Sequence, residues 1–212
     1  MLHTLSIIAI VTGVICALII AGDILFRRRQ KMMVMNFVYP ITGLYAGPLA
    51  LLVYFTIGQR GSDKLSYWQA VVKGTLHCGA GCTLADMIVE TALLFFPVVL
   101  FGRKLYGAWA VDYGAALLIG IVFQYFALMP MRDLSPREGI VEAAKADVLS
   151  LTAWQIGMYG WMAIATFLIF NHELKADTPL FWFMMQLAML LGFVTAYPMN
   201  WFLIRSGIKE KM

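Results

Sequence analysis

Charge is scarce in this chain. Only 13% of its 212 residues are charged, while 61% are hydrophobic and the mean hydropathy is +0.79. Those values exclude an ordinary soluble domain, in which about a quarter of the residues carry charge. Enzyme signatures are also missing. The sequence has no glycine-rich phosphate loop, no His-Glu-x-x-His, no nucleophile elbow and no Cys-x-x-Cys, which removes the usual grounds for an NTPase, a metalloprotease, a hydrolase or a thioredoxin-like enzyme. No catalytic residue is assigned, and whether the protein is an enzyme stays open. Three cysteines, two of them in the third apolar run, say little about redox compartment. There is no repeat or low-complexity tract. A net charge of +4 suits a protein facing anionic lipid headgroups and gives no reason to invoke nucleic acid.

Long apolar runs are what the chain does have. About 20 such residues cross a hydrocarbon core of about 30 Å at about 1.5 Å per residue. Six segments qualify: 5–26, 32–57, 69–101, 113–129, 149–170 and 180–204. The expected fold is therefore an all-α polytopic membrane bundle forming one domain over residues 1–212, with the lipid bilayer as its first partner and no room for a separate soluble unit. The first span has no basic residue before it and no small-x-small cleavage site, so it reads as a retained anchor. Pro40 and Pro48 interrupt the second span, and Pro198 lies near the end of the sixth. Ser135-Pro136-Arg137-Glu138 is a helix start, with a capping serine, proline at the first helical position and glutamate at the third. It predicts a short surface helix leading straight into span five. Arg27, Arg28, Arg29 and Lys31 after the first span argue for an outside N-terminus. Across all loops, however, the basic residues are almost evenly divided: Arg103, Lys104 and Lys175 join that side, against Arg60, Lys64, Arg132, Arg137, Lys145, Arg205, Lys209 and Lys211 on the other.

The third span holds the densest chemistry, His77-Cys-Gly-Ala-Gly-Cys-Thr-Leu-Ala-Asp-Met-Ile-Val-Glu90. Cys78, Cys82, Asp86 and Glu90 follow one another at intervals of four. On a helix each such step turns by only about 40°, so the four form one slanted stripe. A charge near the bilayer centre costs about 2.5–3.5 kcal/mol on insertion scales, so the two carboxyls should face the bundle interior and meet a partner, a proton or an ion. Helical side chains four apart have Cβ atoms about 5–6 Å apart, whereas a disulfide needs about 3.5–4.5 Å. That spacing disfavours a bridge and suits two thiolates reaching for one soft ion, with copper or zinc as candidates. His77 lies about 100° around the helix from Cys78 and joins as a third donor only if Gly79 and Gly81 allow the helix to distort. The same glycines equally permit close approach of another helix. Cys78 and Glu90 are about 18 Å apart along the axis, too far to share an ion. The reading is thus a thiol site at His77, Cys78 and Cys82, with Asp86 and Glu90 as a proton relay or second site. Lys73, one turn earlier, either snorkels or pairs with a carboxylate of another span.

Gln155, Met158 and Met162 share a face of span five, and Met185 and Met189 a face of span six; thioethers are soft donors, but methionine is also an adaptable core filler. Asp23 is placed to pair with Arg27. Asn36, Gln124, Gln186 and Asn200 read as helix bridges. Asp147, Ser150 and Thr152 read as caps or hydrated groups at the start of span five. Cys16 reads as a small buried apolar residue, and His3 and His172 have no visible partner.

The segments Gly74–Asp86 and Asp147–Met162 resemble the two signature segments of a bacterial and archaeal membrane-protein family catalogued only as a domain of unknown function. That family carries a His-Cys-x-x-x-Cys segment, and some of its relatives have loosely copper-related names. The resemblance runs from about span two to span six and implies a common bundle in a prokaryotic cytoplasmic membrane. The expected function is binding, delivery or transport of a copper-like ion. Two rivals stay open: a membrane thiol-redox protein, and an accessory or structural subunit of a larger membrane complex. The aromatic and methionine surface Phe181–Met185 leaves self-association open as well.

Overall fold

A computed structural model describes residues 1–27, 29–30, 32–59, 65–129 and 135–210. Among them the chain forms seven α-helices: α1 (Leu2–Phe26), α2 (Met35–Ala46), α3 (Pro48–Val53) running into a π turn at Tyr54–Gly58, α4 (Tyr67–Phe95), α5 (Lys104–Leu128), α6 (Pro136–Ile164) continued by a π segment at Ala165–Ile169, and α7 (Pro179–Arg205). No strand occurs among the described residues. The only β-type pairing there is an isolated bridge between Leu100 and Arg103.

Four helices, α1, α4, α5 and α7, are long and apolar enough to cross a membrane. The other two expected spans fall outside this group for different reasons. The second is cut into short pieces at Gly47-Pro48, and α6 carries Glu138, Glu142, Lys145 and Asp147 through its first half. The outer surface agrees with a lipid environment. Leu5, Ile8, Val11, Ile15 and Leu18 of α1 are all exposed, while polar side chains are gathered inside. Apolar residues outside and polar ones within invert the arrangement expected in water.

α4 is the central element, and nearly every residue from Gln69 to Ala85 is buried. Two glycines make this possible. A Cβ at Gly79 would meet the indole of Trp154 on α6, and one at Gly81 would lie 3.5 Å from Cα of Gly120 on α5. The Trp154 ring is fully buried and also covers Gly192 of α7, so α4, α6 and α7 close around one aromatic. The glycines expected either to distort the helix or to admit a neighbour do the second, and α4 runs unbroken through them.

The break in the second span has a clear local cause. Gly47 sits at φ +51°, a region that glycine occupies without a Cβ penalty. Pro48 has no N–H to give the carbonyl of Leu44 four residues earlier. Gln186 of α7 supplies that donor at 2.7 Å, and Gly13 of α1 leaves space for the contact.

Three boundaries differ from the sequence expectation. α4 stops at Phe95, before residue 101, because Pro97 disfavours the helical conformation at Phe96; the chain then turns through the Leu100–Arg103 bridge. α5 begins at Lys104, nine residues before the expected start at 113, which brings Asp112 inside a helix. The helix started by Ser135 is continuous with the fifth span, giving one helix of 29 residues. Its capping box is formed: Ser135 N–H donates to Glu138 Oε2 at 3.0 Å, and Glu138 N–H to Ser135 Oγ at 3.4 Å. Arg28, Lys31, Arg60, Lys64, Arg132 and Lys211 lie outside the described residues, and part of the charge count bearing on orientation lies there with them.

Candidate functional site

The side chains of the α4 stripe divide into two groups. At the N-terminal end, Cys78 is buried in a set of hydrogen bonds contributed by three helices and the chain after α7. Its thiol donates to Asp147 Oδ1 at 3.2 Å and contacts Ser150 Oγ at 2.9 Å. Asn200 Nδ2 donates to Ser150 Oγ at 2.8 Å. Lys209 Nζ donates to Asn200 Oδ1 at 2.8 Å, to Cys78 Sγ at 3.2 Å and to the carbonyl of Gly74 at 3.4 Å. An ammonium has three protons to place, and here all three are placed inside the protein, with the residue only 2% exposed. Lys209 gets there because Gly207, at φ +75°, turns the chain back after α7, and the N–H groups of Ile208 and Lys209 both bond Leu203 O at 3.1 Å. Asp147 is admitted by Gly120: a Cβ at that position would collide with its carboxylate.

One to three turns further along α4, the polar groups have few partners. Asp86 is 1% exposed, and neither carboxylate oxygen has a hydrogen-bond partner among the described residues. Asp112 of α5 faces Asp86 and shares a side-chain hydrogen bond with Glu90, its oxygens finding no other partner among the described residues. Asp86 stands in the wall of a cavity of about 300 Å³ with Met87, Met185, Met189 and Thr83. Thr83 Oγ1 donates to the Gly79 carbonyl at 2.7 Å and lies 3.6 Å from Met189 Sδ. Glu90 stands in the wall of a different cavity, of about 500 Å³, with Lys104, Glu173, Lys175 and Asp177. Beside this pair the ring of Tyr159 stacks on Trp109, centroids 5.0 Å apart, and its hydroxyl donates to Trp109 O at 2.8 Å.

The structure separates the expected thiol trio. His77 points toward α5, its ring centroid 5.9 Å from that of Phe123 and both nitrogens without a partner among the described residues. Cys78 faces α6 and the chain after α7, and Cys82 belongs to the apolar core with Met158, Met162, Met185 and Met189. No three His, Cys, Asp or Glu side chains among the described residues form a group able to hold a metal, and on the undistorted α4 His77 lies about 100° around the helix from Cys78. All three cysteines are free thiols. Gln155, Met158 and Met162 are buried together in α6, and both side-chain atoms of Gln155 are without a partner among the described residues. Lys73 is buried near the start of α4 and makes no ion pair among the described residues.

Several supporting readings change. Asp23 accepts from the hydroxyl of the fully buried Tyr54 at 2.8 Å and makes no ion pair with Arg27. Asp147 and Ser150 are buried partners of Cys78, not caps. Asn200 and Gln186 do bridge helices, whereas Asn36 serves its own turn, accepting from Gln30 N–H. His172 finds the Phe170 carbonyl at 2.7 Å. The sequence reading missed two residues. Asp112 is a carboxylate inside the apolar run Ala108–Leu118, a signal that a span begun at 113 excludes. Lys209 reads as an ordinary basic tail residue, and no local pattern says that it turns inward.

A family model described as a domain of unknown function, DUF4396, matches residues 67–209. The chain belongs to this family. The DUF4396 region starts at α4, later than the second span where the resemblance placed its beginning, and runs to Lys209. It contains Cys78, Asp147, Ser150, Asn200 and Lys209 as well as Asp86, Glu90 and Asp112, while α1 to α3 lie before it. No curated protein and no solved structure matches the chain.

Proposed function

We propose that this chain is a six-span integral protein of a prokaryotic cytoplasmic membrane that binds a soft cation, copper foremost and zinc next, and passes it across the bundle. The observation that carries this reading is that Asp86 and Glu90, one turn apart on α4, stand in the walls of two different cavities. Their rise along the axis is about 6 Å, a distance one ion covers in a single step. Intramembrane carboxyls are costly and mark ion or proton pathways. Three that face one another require compensating positive charge, as protons or as a metal cation. Met87, Met185 and Met189 around Asp86 supply thioethers, which favour Cu(I), and Cys82 lies one turn before. The cation site is therefore assigned to Asp86 and its methionines, with Cys82 as the near thiol, in place of a His77–Cys78–Cys82 chelate.

The test is elemental mass spectrometry on protein purified in mild detergent under reducing, anaerobic conditions, alongside Asp86→Asn and Cys82→Ser variants. Near one copper or zinc per chain, reduced at least tenfold in Asp86→Asn, supports the reading. No metal after Cu(I) loading, or metal retained by Asp86→Asn, sinks it.

A further inference from the structure

The environment of Lys209 is built like a cation site. Three lone-pair donors surround Nζ: the Gly74 carbonyl, the Cys78 sulfur and the Asn200 amide oxygen, at 2.8–3.4 Å. Asp147 and Ser150 stand directly behind Cys78. The second Asp147 oxygen is buried without a hydrogen-bond partner among the described residues. The cation occupying this cradle is delivered by a short stretch after α7, held to the helix end by the N–H groups of residues 207–209.

We propose that this cradle is a second cation site, for a borderline divalent ion of the zinc class, which the chain's own Lys209 occupies as a tethered competitor. The charge balance selects the class. With Lys209 inside, one ammonium and one carboxylate cancel, and Cys78 keeps its proton. Withdrawing Lys209 and releasing the thiol proton removes two positive charges, and one divalent ion restores neutrality: Cys–SH plus M²⁺ gives Cys–S–M⁺ plus H⁺. A single thiolate with carboxylate, carbonyl and amide oxygens suits zinc better than Cu(I), which prefers several sulfurs. Zinc–ligand distances of about 2.0–2.3 Å require the donors to close in by about 1 Å once the ammonium leaves. The site is independent of the Asp86 reading, since it shares no residue with it.

Cd(II) is the probe, because its thiolate complexes absorb in the near ultraviolet, and the protein is the full chain in detergent. Lys209→Met removes the charge and keeps the length. It should bind one Cd(II) per chain with the thiolate band, at least tenfold more tightly than the unmodified protein, and the band should vanish when Cys78→Ser is added. Equal affinity with and without Lys209, or a band that survives Cys78→Ser, overturns the proposal. The unmodified protein gives a check that needs no Lys209 variant. Lys209 should resist an amine-acylating reagent alone and become acylated at Cd(II) concentrations that saturate the band; continued protection at saturation also overturns it. Asp86→Asn should leave the band unchanged, which separates this site from the copper reading.

Discussion

Two stretches of one helix treat buried polar groups in opposite ways. Around Cys78 the donors and acceptors close on one another except at one Asp147 oxygen, and a buried ammonium has all three protons placed. Around Asp86, little more than two turns away on α4, both carboxylate oxygens have no hydrogen-bond partner among the described residues, and Asp112 on the neighbouring α5 meets another carboxyl, that of Glu90. A closed polar network rigidifies a core, while an unsatisfied buried group costs its desolvation. The first arrangement fastens three helices and the C-terminal turn together. The second keeps a carboxylate in a cavity wall, where a cation or proton can reach it.

The contrast can be broken by mutation. The largest loss is expected for Asp147→Ala, which takes away the acceptor of Cys78 and a carboxylate whose charge acts on Lys209; leaving a buried charge uncompensated costs about 3–5 kcal/mol, measurable by reversible unfolding in mixed micelles. Gly79→Ala pushes a methyl into the Trp154 indole that joins α4 to α6 and should cost about 1–3 kcal/mol by the same assay. Asp86→Asn should change stability by less than about 1 kcal/mol, because it removes no hydrogen bond, yet abolish bound metal. A stability loss as large as that of Asp147→Ala would erase the distinction between the two regions. The smallest effect concerns the capping box, remote from both. Ser135 hydrogen bonds hold the Glu138 carboxyl below its ordinary value of 4.5. Its contribution is complete above that value and is lost as the pH falls through the lowered folded value. Glu138→Gln should therefore flatten a slight acid-side decline in the thermal midpoint.

Helix existence was legible because it depends on local apolar runs, and the Ser135 start because a capping box is written within four residues. The stripe on α4 was legible for the same reason: a spacing of four fixes a face. What that face meets depends on other helices. The Cys78 partners come from residues 147, 150, 200 and 209, far along the chain, and nothing in the segment around 78 specifies them. Asp112 escaped because Arg103, Lys104 and Gly107 interrupt the apolar run and hide the true start of its helix. Asp147 and Ser150 were seen as residues and misread in role: serine and aspartate beside a helix usually cap it, but here the helix runs straight past them.

The Leu44 carbonyl carries a consequence for biogenesis. Its fourth-following residue is a proline, and the donor that replaces the missing N–H, Gln186, is supplied 142 residues later in the chain. While a ribosome is still making α4 and α5, the early hairpin of α1 and α2 holds a bare carbonyl with no water available to solvate it in the hydrocarbon. The hairpin should therefore linger beside the translocon or an insertase until α7 arrives, and a nascent chain truncated before residue 186 should be released into lipid more slowly than one carrying the whole of α7.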